Sequence, residues 1–423
     1  MSVTLHPRTP TRFDTPGTSR RRTHRIVQSL AAVGGVALVL VAVRGPGTWP
    51  WLRGALVVAA LVLVVRWLGR DEPGVRAGAA LAAGTGGVVV GSAFGIGHVL
   101  KSGASPVAIA GLVVLGTGMA LTAVGAWLLI RRARSWRRLW ALPVAVALAL
   151  FVWVPVTFAL YATNVPPTSL GADTPADRGL AYVDVDVMTD DAVVLSGWYV
   201  ASHNGAAVVL LHGSGSTRSN VLDHGVVLAE HGYGVLMLDT RGHGRSGGRA
   251  HDFGWYGDLD VEAAVTFLTK QAEMDPDRIG VVGMSMGGEQ ALSAAARDER
   301  IRVVVAEGVT GRVVADNAWL PDHPGRWINY AMDWIQYGLA DLISGARPPI
   351  PLADAVAAIA PRPVLLIAAG GVPDEGRAGR YYQAVAPANV DLWEVPGSGH
   401  VRGLATAPDE WEERVIAVLD ASL

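Results

Sequence analysis

The chain has 423 residues, of which 51% are hydrophobic and 17% charged, and it contains no cysteine. This composition excludes a largely disordered chain, and the lack of cysteine excludes a disulfide scaffold, a thiolate metal site and a thiol nucleophile. The net charge of -2 conceals an asymmetry, because residues 1–164 are strongly basic and residues 165–423 are acidic. We therefore expect two regions of different character.

The first region has the pattern of a membrane protein. Residues 1–25 are polar and rich in proline, threonine and arginine, which predicts a disordered tail. Apolar runs follow, and a helix needs about 20 such residues to cross a bilayer core. The runs are Ile26–Val43, Trp49–Leu68, Gly78–Leu100, Pro106–Ile130 and Trp140–Ala162. The second run is the weakest, since an arginine lies near each of its ends. The sequence predicts about five transmembrane helices over residues 26–163.

The arginines of this region predict its orientation. They are concentrated in the tail, in the loop that holds Arg70 and Arg76, and in the loop over residues 131–138, whereas the alternate loops hold few cations. The positive-inside rule then places the tail in the cytoplasm. With five spans, everything after residue 163 would lie outside the cytoplasm, on a multi-pass protein of the cell membrane.

Small residues recur on one face of the third run, where Gly87, Gly91 and Gly95 are spaced by four. Such spacing allows close packing of helices. Packing within the bundle is favoured over contact with a second copy, although a homo-oligomer through these helices is the alternative. No acidic residue lies inside a predicted span, which argues against an ion-coupled transporter.

Residues 164–178 are rich in proline and threonine and predict an extended, exposed linker. From residue 179 onwards, short apolar strands alternate with helical stretches, which indicates a mostly parallel sheet covered on both faces. The first two strands have no helix between them and predict an antiparallel edge. The predicted strands are Ala181–Met188, Ala192–Val200, Ala206–Leu211, Gly234–Leu238, Ile279–Val282, Val303–Ala306, Val364–Ala368 and Val390–Val395.

A candidate nucleophile follows the fifth of these strands. Residues 283–287 read Gly-Met-Ser-Met-Gly and open a helix, which fits the Gly-x-Ser-x-Gly nucleophile turn. The glycines allow a turn too tight for larger side chains, and the turn lifts the hydroxyl of Ser285 above the sheet. The alternative is a glycine-rich helix start with Ser285 as its N-cap.

A serine needs a base, and His400 in the loop after the last predicted strand is the best candidate. A carboxylate should orient that imidazole. Asp374 and Glu375 both follow the strand Val364–Ala368, with Glu375 slightly preferred, and Glu307 is a third candidate.

The loop after the strand Ala206–Leu211 has the sequence expected of an oxyanion hole. Ser214 is the expected first backbone donor, with Gly215 as its alternative, and Met286 just after the nucleophile is the second. Gly213 would let the backbone approach the substrate closely.

Together these features resemble the α/β-hydrolase family. The resemblance covers residues 180–423 and is carried by the His212-Gly213 pair, the polar turn over residues 239–246, the Ser285 turn, the acid loop and His400, in the family's order. It implies an α/β-hydrolase fold over residues 179–423, preceded by an all-α transmembrane bundle. It looks most like the branch that spans small esterases, dienelactone-hydrolase-like enzymes and serine peptidases.

Two further features belong to this expected domain. Asp239 and Arg241 in the polar turn should brace loops by hydrogen bonds. An insertion at about residues 309–351 should form a cap, in which Trp327 and Trp334 would line an apolar substrate pocket or pack the cap onto the core.

The expected function is a membrane-anchored serine hydrolase that cleaves an ester, with a peptidase or acyltransferase of the same fold as alternatives. A non-catalytic binding module of the membrane is the alternative from another class. The expected partners are a small-molecule or lipid-like ester and the bilayer. Neither a cofactor, nor a metal, nor nucleic acid is expected.

Overall fold

The computed structural model describes residues 16–44, 50–70, 72–133, 135–166, 168–322 and 325–423. The chain forms two compact units. The first unit contains the residues up to Ile96, apart from 46–48, together with Pro106–Ala145, and the second contains Gly97–Ser105 and Val146–Leu423.

The apolar runs form helices. These are α1 (Pro16–Arg44), α2 (Pro50–Leu68), α3 (Pro73–Gly91), α4 (Gly97–Ser102), α5 (Pro106–Ile130), α6 (Ala141–Leu148) and α7 (Val154–Thr163). A π-helical turn continues α3 into α4, and another joins α6 to α7. In the described part of the chain, five helical stretches are long and apolar enough to cross a membrane. They are Arg25–Arg44, Pro50–Leu68, Pro73–Ser102, Pro106–Ile130 and Ala141–Thr163. Each of them overlaps one of the predicted runs.

Helix α1 begins earlier than the sequence predicts. Its first residue is Pro16, inside the segment expected to be disordered, while residues 1–15 lie outside the described residues. Proline is favoured at the first position of a helix, and arginine is a good helix former, so the basic stretch continues the apolar helix toward the N-terminus.

The glycines of α3 pack against α5 within the first unit. A Cβ on Gly87 would lie 3.0 Å from the Cα of Gly118, and one on Gly95 would lie 2.8 Å from the carbonyl carbon of Gly111. A Cβ on Gly91 would overlap the backbone of Leu115. The two backbones therefore approach as closely as small residues allow, and the packing is intramolecular, as favoured from the sequence.

The second unit is built on an eight-stranded sheet with the order β1-β2-β4-β3-β5-β6-β7-β8. The strands are β1 (Val183–Met188), β2 (Val194–Val200), β3 (Ala207–Leu211), β4 (Gly234–Leu238), β5 (Ile279–Met284), β6 (Ile301–Glu307), β7 (Val364–Ala369) and β8 (Val390–Val395). β2 pairs antiparallel with both β1 and β4, and all the later pairs are parallel. The predicted mostly parallel sheet with an antiparallel edge is confirmed.

Helices cover both faces of this sheet. They are α8 (Leu222–Glu230), α9 (Gly257–Leu268), α10 (Met286–Ala295), α11 (Arg326–Ser344), α12 (Leu352–Ile359), α13 (Pro373–Val385), α14 (Gly403–Thr406) and α15 (Pro408–Asp420). Strands β3 to β7 are buried along almost their whole length, and their side chains feed two apolar clusters, one on each face. Burial on both faces explains why these strands read as continuous apolar runs rather than alternating ones.

Part of the segment between α7 and β1 packs on the rest of the second unit, to which it belongs. Val165 is buried, and Leu170 packs on one of the apolar clusters. The carbonyl of Thr168 accepts a hydrogen bond from the backbone of Gly244 at 3.1 Å. Of the predicted linker, residues 164–166 are buried, whereas residues 169, 171–173 and 176–178 are exposed as expected.

Candidate active site

The turn between β5 and α10 places Ser285 at the carboxyl edge of the sheet. Ser285 has φ of 52° and ψ of -118°, a strained conformation for a residue with a side chain, which costs roughly 1–3 kcal/mol. A Cβ on Gly287 would lie 2.7 Å from the carbonyl oxygen of His212 and 2.8 Å from that of Leu211, so only glycine fits there. The hydroxyl of Ser285 makes no capping bond to the start of α10. Ser285 thus stands at the N-cap position of α10, but its hydroxyl faces His400 instead of capping the helix.

The imidazole of His400 joins Ser285 to Glu375. Its Nε2 lies 2.9 Å from the Ser285 hydroxyl oxygen, and its Nδ1 lies 2.7 Å from Oε1 of Glu375. The second carboxylate oxygen accepts a hydrogen bond from the backbone N–H of Ala369 at 2.8 Å. An ionised carboxylate only accepts hydrogen bonds, so Nδ1 carries the proton and Nε2 is the acceptor that faces the serine hydroxyl. This chain of contacts is the one a serine nucleophile needs.

The electrostatics of His400 suit a general base. The hydrogen bond from its ring to Glu375 raises the pKa of His400, against the opposing effect of partial burial. The Glu375 side chain is 1% exposed, whereas the His400 side chain is 50% exposed. A buried negative charge therefore supports a ring that a substrate can reach.

The other two candidate carboxylates lie elsewhere. Asp374 is 57% exposed and pairs with Arg377 at 2.7 Å, so the structure does not place it with His400. Glu307 is buried and accepts hydrogen bonds from the backbone of Gly403 and the indole of Trp411. Burial raises the pKa of Glu307, and its backbone carbonyl accepts the N–H of Ser285 at 2.7 Å. Glu307 thus supports the nucleophile turn and the last two helices rather than orienting the imidazole.

The predicted oxyanion loop lies beside the nucleophile. A Cβ on Gly213 would be 3.3 Å from the Cβ of Ser285 and 3.9 Å from its hydroxyl oxygen. Met286 is the first residue of α10, where backbone N–H groups have no partner within the helix. The structure therefore brings Gly213 and Met286 next to Ser285, with Ser214 one residue further, and the donor roles of Ser214 and Met286 stay predictions.

The imidazole of His212 holds this loop in place through two hydrogen bonds. Its Nδ1 lies 2.8 Å from the carbonyl oxygen of Gly213, and its Nε2 accepts a hydrogen bond from the backbone of Thr240 at 3.1 Å. Burial lowers the pKa of His212 to about 4, so the ring is neutral near pH 7 and can donate at one nitrogen while accepting at the other. The sequence marked His212 only as part of a motif and gave no signal for this double role.

A short polar chain holds Ser214 from the other side. The Ser214 hydroxyl donates to Oδ1 of Asp252 at 2.6 Å, and the ammonium of Lys101 contacts the same oxygen at 2.6 Å. The side chains of Lys101 and Asp252 are only 15% and 13% exposed. Lys101 comes from α4, which groups with the second unit. Sequence reasoning missed both residues, because 151 positions separate them in the chain.

The polar turn after β4 is structural, as expected. Asp239 accepts backbone hydrogen bonds from Arg218 and Arg245. The guanidinium of Arg241 binds the buried carboxylate of Asp260 at 2.7 Å and also pairs with Asp191. These bonds tie the turn to the neighbouring loops.

The cap tryptophans do not line an enclosed pocket. Trp327 and Trp334 lie on α11 and are 61% and 72% exposed. The ring of Trp327 stacks on Phe151, with the ring centroids 6.1 Å apart. At this exposure the two side chains do not pack the cap onto the core, and their role in substrate binding stays a prediction. On this amphipathic helix, the residues that face inward are Tyr337 and Ala340.

Comparisons with known proteins identify the family of this chain. A family model described as serine aminopeptidase, S33, matches residues 202–344. The uncharacterized protein Rv2307c of Mycobacterium tuberculosis is 31% identical over 201 residues, which are 44% of this chain and 69% of that protein. The chain belongs to the α/β-hydrolase family. We call the part of the second unit that carries the sheet the hydrolase domain.

Two other similarities extend the comparison. The thiohydrolase aneE of Aspergillus aculeatus is 33% identical over 134 residues, 30% of this chain and 41% of that protein. The structure of the Pyrococcus furiosus esterase Pf2001 is similar with a TM-score of 0.48 and 30% identity, over 61% of this chain and 97% of that one. Within the described residues, no group of three or more metal-ligating side chains is arranged to hold a metal ion.

Proposed function

We propose that this protein is a membrane-anchored serine hydrolase that cleaves a carboxylic ester through an acyl-enzyme intermediate. The observation that carries the proposal is the contact chain from Ser285 through His400 to Glu375, with distances of 2.9 Å and 2.7 Å. An unassisted serine hydroxyl is a poor nucleophile at neutral pH, and this chain supplies both the base and the group that orients it.

The reaction follows from the geometry. The hydroxyl oxygen of Ser285 attacks the ester carbonyl while Nε2 of His400 takes its proton, and the buried Glu375 stabilises the imidazolium. Backbone N–H groups of Met286 and Ser214 hold the oxyanion. His400 returns the proton to the leaving alkoxide, which departs as an alcohol. A water molecule deprotonated by His400 then attacks the acyl-serine, releases the carboxylic acid and restores the hydroxyl.

An ester is favoured over the amino-terminal peptide bond that the family description suggests. An aminopeptidase needs a free carboxylate near its nucleophile to bind the substrate's ammonium group. Three acidic side chains near Ser285 already have partners: Glu307 accepts from Gly403 and Trp411, Glu289 from the backbone of residues 310 and 311, and Asp252 from Ser214 and Lys101. A peptidase therefore remains the second candidate.

A fluorophosphonate probe tests the nucleophile. The full-length protein in detergent should be labelled, and Ser285→Ala should not be. Ser293→Ala is a matched control, because Ser293 of α10 is buried and its hydroxyl donates to Asp258 of α9, away from the turn. No labelling of wild-type protein would favour the non-catalytic binding module, while labelled protein that cleaves peptides and not esters would favour the peptidase.

The proposed location is the cell membrane, with the hydrolase domain outside the cytoplasm. Five apolar helical stretches and the arginine-rich loops between them support this orientation. A pair of reporters fused after Leu423 tests it, one active only outside the cytoplasm and one only inside. Activity of the cytoplasmic reporter alone would refute the five-span topology without touching the proposed chemistry.

A further inference from the structure

We propose that the substrate is an amphiphilic acyl ester that reaches Ser285 from the bilayer surface, and that the exposed face of α11 lies against lipid. The proposal deepens the proposed function and rests on it. Two separate observations carry it. One is the contact between the predicted oxyanion loop, which contains Gly213 and Ser214, and the ends of two apolar helical stretches. The other is the set of exposed apolar side chains on α11.

The oxyanion loop is tied to residues at the ends of two candidate membrane spans. Lys101, which contacts Asp252 and lies 3.3 Å from the Ser214 hydroxyl, is the residue before the end of the stretch Pro73–Ser102. The backbone N–H of Asp252 also donates to the carbonyl of Ala162 at 2.9 Å, one residue before the end of Ala141–Thr163.

These contacts set the distance between the nucleophile and the membrane. Gly213 touches Ser285, and its neighbour Ser214 touches Lys101. With about 3.8 Å between consecutive Cα atoms, the Lys101 ammonium lies within roughly 15 Å of the Ser285 hydroxyl. The headgroup layer on one side of a bilayer is about 5–8 Å thick. If the two stretches cross the membrane, Ser285 lies close above the headgroups, where a free soluble substrate has no advantage over a lipid.

Helix α11 presents exposed apolar side chains to the outside, with the exposed Asp341 on the same side. Trp327, Trp334 and Leu342 are 61%, 72% and 80% exposed. Their spacing of seven and eight residues places them on one side of the helix. Tyr337 and Ala340 of the same helix pack inward into a cluster with Trp255 of the hydrolase domain.

The bilayer is the occupant that fits this surface. The Trp327 ring stacks on Phe151, which belongs to the apolar stretch Ala141–Thr163, and α11 runs beside α7 of the same stretch. The exposed tryptophans thus continue a surface that already requires lipid.

The lipid contact can be measured without activity. The chain lacks cysteine, so Trp334→Cys gives one labelling site, and Met188→Cys on β1 gives a matched one because Met188 is 61% exposed. Each full-length variant carries a bimane label and sits as one copy in a phosphatidylcholine nanodisc with brominated acyl chains. We expect quenching at position 334 to exceed that at 188 by at least threefold. Equal quenching at the two positions would overturn the lipid contact. With one protein per nanodisc, a second copy of the chain cannot cover position 334.

The substrate class is tested by a ratio of rates. Full-length protein in vesicles hydrolyses p-nitrophenyl butyrate from solution and a fluorogenic long-chain ester held in the vesicle. For Trp327→Ser/Trp334→Ser we expect the ratio of the vesicle rate to the soluble rate to fall at least tenfold, and for Met188→Ser to stay unchanged. An unchanged ratio in the double variant would overturn the inference. If the wild-type protein hydrolyses neither ester and is not labelled by fluorophosphonate, the proposed function itself is refuted.

Discussion

The two neighbouring acids Asp374 and Glu375 allow a sharp test of the site. Glu375→Gln keeps the size and shape of the side chain but removes its charge. In the wild-type protein the backbone N–H of Ala369 donates a hydrogen bond to one carboxylate oxygen of Glu375. In the variant the amide oxygen takes that bond, so the amide NH₂ faces Nδ1 of His400. The imidazole must then accept at Nδ1 and carry its proton on Nε2, where it can no longer accept the proton of Ser285.

The size of the effect follows from the distance. The imidazolium formed in the transition state has its charge about 4 Å from the Glu375 carboxylate, which at an effective dielectric constant of 20 is worth about 4 kcal/mol. That energy corresponds to roughly a thousandfold in rate, and the wrong tautomer adds to it. We therefore expect kcat for a soluble ester to fall by about 10³–10⁴-fold. Asp374→Asn, which loses only an exposed pair with Arg377, should change kcat less than about twofold.

The pH dependence gives a second readout of the same contact. Because Glu375 raises the pKa of His400, kcat/KM of the wild type should rise with pH through an apparent pKa above 6.5. In Glu375→Gln the apparent pKa should move to lower pH, whereas Asp374→Asn should leave it in place. Equal loss in both variants, or an unshifted pH profile in Glu375→Gln with retained activity, would refute the assignment of Glu375.

Three further predictions concern the surroundings of the site. Lys101→Met should lower kcat for a soluble ester about tenfold with little change in KM, with partial recovery in Lys101→Arg, since about 1.4 kcal/mol of oxyanion positioning is lost; a change confined to KM would contradict this. Gly287→Ala should prevent labelling by fluorophosphonate, because its Cβ would overlap the backbone carbonyl of His212; normal labelling would show that the turn can open. Burial lowers the pKa of His224 to about 4, and neither of its ring nitrogens has a hydrogen-bond partner. The unfolded chain binds that proton more tightly, so the stability from His224 is present above pH 6.5 and is lost as pH falls from 6.5 toward 4, by about 2 kcal/mol at pH 5. His224→Leu should remove that part of the acid destabilisation in thermal unfolding, and an unchanged slope would contradict the burial argument.

The strands and the nucleophile were predictable because their signals are local. Buried parallel strands need continuous apolar residues, and the tight turn at Ser285 needs glycine at fixed positions on either side. The acid was not predictable in the same way, since Asp374 and Glu375 are adjacent in sequence and at the start of one helix. Consecutive residues on a helix point about 100° apart, so only one of them can reach His400.

The exposed positions of Trp327 and Trp334 escaped prediction for a different reason. An amphipathic helix with a second apolar face has the same composition as one buried between a cap and a core. Only the structure shows that Tyr337 and Ala340 of this helix pack inward and that Trp327 and Trp334 are left outward. The outward tryptophans are consistent with the membrane pattern of the first half of the chain.

The contact between Lys101 and Asp252 changes how the two halves of the sequence should be understood. If the apolar helices served only as an anchor, the catalytic loops would draw every polar partner from the hydrolase domain. Instead, the carboxylate that holds Ser214 receives its cation from Lys101, at the end of an apolar stretch. A nearly buried carboxylate that loses its cation keeps its desolvation cost and is free to move, and Ser214 would move with it. If the apolar stretches cross a membrane, the same contact requires Lys101 and the hydrolase domain to lie on one side of it, as they do in the topology proposed from the arginine pattern.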